Sequence, residues 1–216
     1  MLEDIFAFGK TRDFKAARAI IFAELKARNL TRVFEEIERP LIAVVDAMNE
    51  RGVRIDVPFL HELSKKYHKE LSALEKAIHT LSGSEFNINS PKQLGDILFT
   101  KLGLKPARQK KTAGGALSTR ESELGKMREM HLVIGEVLQY REFQKLLSTY
   151  IDNLPQMVGK DGRLHARFFS SGAATGRMAS QNPGLQNIPI QTERGRKIRY
   201  AFIAEKGNTL LALDYS

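Results

Sequence analysis

The chain has no cysteine in its 216 residues. That excludes a disulfide framework and any thiolate metal site. No apolar run reaches the roughly 18 residues that a helical membrane span requires. The opening stretch, MLEDIFAFGK, carries two acids and lacks the apolar core of a secretory leader, so secretion is not expected. Internal repeats and low-complexity segments are missing too. What remains is an ordinary folding composition, 42% hydrophobic and 27% charged. It suffices for one large domain or two modest ones.

The formal net charge is +9 and the pI about 9.7. Its distribution is uneven. Residues 91–120 hold seven Lys/Arg against one acid, and residues 151–216 hold nine against five. The first 90 residues carry fourteen of each and cancel. An excess gathered in two segments points to a polyanionic partner rather than to general solubility.

Helical periodicity dominates the first two-thirds of the chain. Phe14, Ala17, Ile20, Ile21 and Leu25 recur at helical spacing after Asp13, a plausible cap. A second helical pattern runs from about Thr31 to Glu50, with Pro40 inside it as a kink or junction. A long helix is expected from about Pro58 to Leu81. Its stripe of Leu60, Leu63, Tyr67, Leu71, Leu74, Ile78 and Leu81 predicts packing along a partner helix. Ser90-Pro91 starts a shorter helix that Gly103 closes. Lys105 to Thr119 has no apolar period and reads as a flexible basic loop. One more long helix is expected from about Arg120 to Tyr150, with Leu132 among its apolar contacts. Arg141, Lys145 and Thr149 share one face of it at i, i+4 and i+8.

After Asp152 the pattern changes. Gly159 to Gly162 is a turn, and Arg163 to Phe169 alternates like a strand. Tyr200 to Ala204 and Thr209 to Leu213 read as the arms of a β-hairpin. The second arm delivers a carboxylate, Asp214, at a strand end, where a hard divalent cation binds well. The expected fold class is α+β: a mostly helical arm followed by the first strands of an incomplete antiparallel sheet.

The densest motif is Thr175-Gly176-Arg177-Met178-Ala179-Ser180 followed by Pro183-Gly184-Leu185-Gln186-Asn187-Ile188-Pro189. With the basic run Arg194 to Arg199 and the run Leu210 to Ser216, it closely resembles the DNA polymerase I family (family A). Ile37 to Leu41, Gly52 to Asp56, Phe86 to Ser90, Gln139 to Glu142 and Ser148 to Asp152 extend the resemblance over nearly the whole chain. It implies that residues 1–40 are the tail of a 3′–5′ exonuclease-like domain. Residues 41–153 are then the helical thumb, and 154–216 the N-terminal part of the palm, ending within the first catalytic motif. The implied activity is template-directed DNA synthesis, a nucleotidyl transfer by two metal ions held by carboxylates.

The resemblance also assigns residues. Asp214 is the first catalytic, metal-binding aspartate, and the Tyr215 carbonyl completes one coordination sphere around Mg²⁺. Arg177 reaches the minor groove near the primer terminus, where base N3 and O2 acceptors are common to all pairs. Gln186 and Asn187 do the same near the template, or are turn amides. Arg141, Lys145 and Thr149 face the duplex backbone, or solvent. Asn87, Asn89 and Ser90 hold a phosphate at a helix start, cap that helix, or both. Lys110, Lys111, Ser118 and Thr119 form a grip at the thumb tip, or a solvated loop. His165 is either a structural histidine or a DNA contact. Two positions depart from the family pattern: Leu147 stands where a basic residue is common, and Gly184 where asparagine is frequent.

The implied partners are primer-template DNA and, with the palm and fingers that lie beyond Ser216, a dNTP. On the alternative reading of a split polymerase, a second polypeptide carrying the rest of the enzyme is a partner; a membrane is not expected. The expected location is the bacterial cytoplasm, at the nucleoid, or a phage-infected cell. The second catalytic aspartate and the nucleotide-binding helix are expected after Ser216, so the isolated chain is expected to be inactive. The rival readings are a non-catalytic primer-template-binding fragment and one half of a split polymerase.

Overall fold

The computed structural model describes residues 7–106, 110–173 and 175–214. Helix α1 spans Phe14–Ala27, and the Asp13 side chain accepts a hydrogen bond from the Lys15 amide to cap it. The next helical run joins α2 (Thr31–Val33), a wide π-type turn (Phe34–Glu38) and α3 (Arg39–Arg51). Pro40 therefore begins α3 instead of bending it. The Arg39 amide bonds five residues back to Phe34, and this wider turn makes room for the proline ring.

Strand β1 (Val53–Arg54) leads to the long helix α4, Val57–Ser82. Asp56 caps α4 through the Phe59 amide, and Gly83 ends it in the left-handed region at φ 63°, which a side chain would disfavour. Helix α5 (Pro91–Gly95) starts at Ser90, whose hydroxyl accepts from the Gln93 amide, and a wide turn over Asp96–Lys101 continues it. Helices α6 (Glu121–Gly125) and α7 (Leu132–Leu146) follow, the latter extended by a wide turn over Leu147–Ile151. Then come β2 (Arg163–Leu164), β3 (Arg167–Phe169), β4 (Ala179–Gln181) and α8 (Glu193–Arg199).

The chain divides into two units, each discontinuous in sequence. One comprises residues 1–52 and 165–187, the other 53–164 and 188–216. In the first, β3 pairs antiparallel with β4, with Phe168 opposite Ser180. Asn49 clamps this pair: its amide donates to the Phe168 carbonyl at 3.2 Å and its oxygen accepts from the Phe168 amide at 2.7 Å. In the second, α4 packs along α7, as its apolar stripe predicts. Ile78, Leu94, Leu98, Leu124, Ile134 and Val137 are buried in one continuous core, and Tyr67 meets Phe143 edge to face at 4.9 Å. There β1 pairs antiparallel with β2, Val53 opposite Leu164. The fold is mostly helical α+β with short antiparallel pairs, as expected.

Five expectations are corrected. The helix expected over 120–150 breaks at 126–131, because His131 is extended and its Nδ1 caps α7 at the Val133 amide. Leu132, expected inside, is 77% exposed as a result. The strand expected over 163–169 is two short strands with different partners, separated at His165. The basic loop is partly ordered: Lys111 bridges Leu117, and Thr112 bonds Ala116 across a tight turn.

The terminal hairpin does not form. Its first arm pairs elsewhere: Phe202 bridges Ile55, the Ile203 amide donates to Arg54, and the Asp56 amide donates to Ala201. Residues 209–214 form no ladder, and Leu211 and Leu213 are exposed. A strand is held by its partner's hydrogen bonds, and this segment has none among the described residues.

Candidate nucleic-acid interface

In the unit of residues 53–164 and 188–216, three groups of assigned residues lie on α5, on the 110–119 hairpin and on α7. At the start of α5 the polar side chains serve the turn. The Asn87 side-chain oxygen accepts from the Asn89 amide at 2.9 Å, and the Ser90 hydroxyl accepts from the Gln93 amide at 3.4 Å. Capping is thus the observed role of Ser90, while Asn87 closes the turn that precedes it.

In the hairpin the side chains of Lys110 and Lys111 are exposed, while Ser118 and Thr119 are buried. The two lysines are a solvent-facing cationic pair, and the two hydroxyl residues are part of the hairpin's base. The Lys110 amide donates to the buried Glu123 carboxylate at 3.0 Å, and the Lys126 ammonium donates to its other oxygen at 2.7 Å. These bonds hold the Glu123 carboxyl below its ordinary range.

Arg141 joins the hairpin to α7: its guanidinium donates to the Thr119 carbonyl. Burial pushes its pKa down, which nearby Glu121 opposes. Lys145 and Thr149 are exposed. Thr149 falls in the wide turn over Leu147–Ile151, so the 3.6-residue spacing that would align it with Arg141 no longer applies. Leu147, where the family commonly has a basic residue, is buried.

In the unit of residues 1–52 and 165–187, a loop cluster carries Arg177, Gln186 and Asn187. Arg177 is exposed and has no partner among the described residues. The Gln186 amide donates to the Met178 carbonyl at 2.6 Å, which brings Gln186 beside Arg177 in the fold, eight residues from Met178 in sequence. The Gln186 backbone amide donates to Ser180 Oγ, and the Asn187 amide to the Gly184 carbonyl at 3.3 Å. The His165 ring sits 3.1 Å from the Asn49 carbonyl, a structural contact.

Asp214 is exposed. Its carboxylate is the hard oxygen donor that Mg²⁺ takes. Among the described residues no group of three His, Asp or Glu side chains is placed to hold a metal ion. Tyr215 lies outside the described residues.

Sequence reasoning missed the surroundings of Arg194. Its guanidinium bonds Glu142 at 2.8 Å and Gln139 at 3.0 Å, and lies 4.4 Å from the Phe143 ring centroid. Tyr67 donates to its carbonyl at 3.1 Å. Gln139, Glu142 and Phe143 recur at three- and four-residue spacing, which marks a helix face but not its partner. Beside them, Arg120, Glu121, Arg128 and Thr192 are among the residues that line a pocket of about 820 Å³.

Comparison with known proteins agrees along most of the chain. The family model described as DNA polymerase family A matches residues 57–216. The thermostable DNA polymerase I of Thermus aquaticus is 46% identical over 202 residues, which is 91% of this chain and 24% of that protein. The one from Thermus filiformis is 47% identical over 192 residues, 88% of this chain and 23% of that protein. DNA polymerase I of Deinococcus radiodurans is 46% identical over 186 residues, 86% of this chain and 19% of its own length. The chain thus spans about a quarter or less of the length of these relatives. Among solved structures, the POL domain of Pol1 from M. smegmatis, in complex with DNA primer-template and dNTP, superposes with a TM-score of 0.85 at 29% identity. That match covers 96% of this chain and 38% of the other. On the match of the family model and the 46–47% identity to the Thermus and Deinococcus polymerases, the chain belongs to DNA polymerase family A.

Proposed function

We propose that this chain serves DNA-directed DNA synthesis, supplying duplex binding and the first catalytic aspartate of a two-metal nucleotidyl transfer. The observation that carries this reading is family membership together with the four polymerase-like runs in order, the last containing Asp214. Residues 41–153 act as the thumb and 154–216 as the start of the palm, with 1–40 the tail of an exonuclease-like domain. Primer-template DNA is the partner, as it is in the solved relative, and the dNTP enters with further palm and finger elements. The relatives named above are bacterial, which supports action in a bacterial cytoplasm.

Each residue has a part of its own. Lys110, Lys111, Lys145 and Arg141 contact backbone phosphates, which position the duplex without reading it. Thr149, Ser118, Thr119, Asn87, Asn89 and Ser90 shape the surface these cations stand on. Arg177, with Gln186 and Asn187, contacts minor-groove acceptors near the primer terminus. Asp214 and the Tyr215 carbonyl would hold Mg²⁺, which when bound supplies charge stabilisation at the transferring phosphoryl group.

A second reading is a DNA-binding piece completed by another polypeptide. It is favoured by Leu211 and Leu213, which stand exposed beside Asp214 as a surface that a partner could cover. Two measurements test both. Binding of a primer-template duplex, followed against salt, should weaken steeply as salt rises and persist without Mg²⁺. Primer extension with Mg²⁺ and dNTPs should be absent for the chain alone; extension by the chain alone would refute the divided arrangement. Affinity independent of salt would refute duplex binding.

A further inference from the structure

Helix α8 has seven residues, too few to persist on its own nucleation and propagation free energy. Its order must come from what grips it. Thr192 caps it through the Gly195 amide at 3.1 Å. Gly195 lies so close to Pro189 that an added Cβ would stand 2.6 Å from the proline Cβ. Ile198 and Ala201 are fully buried. The strongest grip is Arg194, which meets α7 through Glu142, Gln139 and Phe143 while its own carbonyl takes the Tyr67 hydroxyl of α4.

At about 100° per residue, Arg194 and Ile198 share one side of α8, and Arg196 and Arg199 fall on the opposite side. Both are exposed. Lys197 is partly neutralised by Glu193 at 3.0 Å, whereas the Arg196 guanidinium meets the Ile190 carbonyl at 3.5 Å and feels Glu193 only as a nearby charge, and Arg199 has no side-chain partner among the described residues. One arginine of the run is therefore spent inward, and two are held out.

We propose that Arg194 is a positioning residue: by locking α8 to α7 it presents Arg196 and Arg199 as a second cationic contact for the nucleic-acid backbone, apart from the Arg141 and Lys145 contact. The inference rests on the duplex-binding reading above. Arg194 touches no phosphate itself. Its charge is matched by Glu142, and its planar group is committed to two acceptors and a ring face, a combination lysine cannot reproduce. Preorganised cations bind more tightly than tethered ones because less freedom is lost on binding.

The test uses the full chain and a short primer-template duplex, with affinity measured from about 50 to about 200 mM salt. Arg194→Ala should weaken binding several-fold at each salt concentration and leave the slope of log affinity against log salt unchanged. Arg196→Ala and Arg199→Ala should each lower the magnitude of that slope by about 0.9, the signature of a lost phosphate contact. Arg194→Lys should fail to restore affinity. Hydrogen exchange of the α8 amides should rise in Arg194→Ala, and in the milder Glu142→Gln, which keeps the side-chain shape should the alanine variant not fold.

A reduced slope in Arg194→Ala would make it a direct contact and overturn the proposal. Full rescue by lysine, or unchanged exchange in both variants, would do the same. If the unmodified chain binds with a steep salt dependence that Arg196→Ala and Arg199→Ala leave intact, this proposal alone falls. If the unmodified chain shows no salt-dependent binding, the duplex-binding reading falls with it.

Discussion

Arg141 donates from its guanidinium to the main-chain carbonyl of Thr119, joining helix α7 to the basic hairpin twenty-two residues earlier. A residue that the family resemblance turns toward DNA thus has a structural duty as well. The two duties are compatible, since a guanidinium has five donors and this bond uses one. Arg141→Ala should leave the buried Thr119 carbonyl unpaired and cost about 1.5–3 kcal/mol of stability. Urea denaturation measures this. Faster exchange of the Ser118 amide, which closes the hairpin on Lys110, should accompany it.

Glu123 is depressed below its ordinary carboxyl pKa of 4.5, first by the Lys126 ammonium and then by the Lys110 amide. A folded pKa below the unfolded one contributes stability that is present above about pH 4.5 and lost as pH falls through the folded value. The urea midpoint should therefore drop in acid more steeply for the unmodified chain than for Glu123→Gln. Parallel pH profiles would show that the carboxylate contributes nothing.

Tyr67 is buried beside Glu70 and donates to the Arg194 carbonyl; burial pushes its hydroxyl up to about 12. A raised folded pKa contributes stability that is complete below the unfolded value near 10 and lost as pH climbs toward 12. Tyr67→Phe should cost about 0.5–1.5 kcal/mol at neutral pH and flatten the alkaline loss. Absorbance titration of the phenolates should show one late-ionising group fewer in the variant.

Leu147 is buried where the family commonly has a basic residue. Leu147→Ala should cost about 2–5 kcal/mol through lost transfer free energy and the cavity left behind. The salt slope of DNA binding should stay the same, because no phosphate contact is removed. A thermal unfolding midpoint equal to that of the unmodified chain would place Leu147 outside the core.

Much of the helical frame was legible because its signals are local. Asp13 and Ser90 cap the helices whose starts they mark in the sequence. The stripe from Leu60 to Leu81 announced a long helix packed on another. The break at 126–131 was hidden because it depends on His131 turning its ring onto the Val133 amide. Leu210 to Leu213 have the composition of a buried strand and lie exposed without a ladder.

Of the interface, the sequence alone determined which residues can serve: the cations, the TGR and LQN motif residues, and the carboxylate of Asp214. Those are properties of side-chain chemistry and of order along the chain. Only the tertiary structure decided which of them are already engaged. Arg141 reaches Thr119, Gln186 reaches Met178, and Arg194 stacks on Phe143, while the Arg199 side chain is exposed with no partner among the described residues. The physical reason is that a pairing across 22 or 51 residues leaves no local periodicity to read. Its energy exists only once the core has brought the helices together.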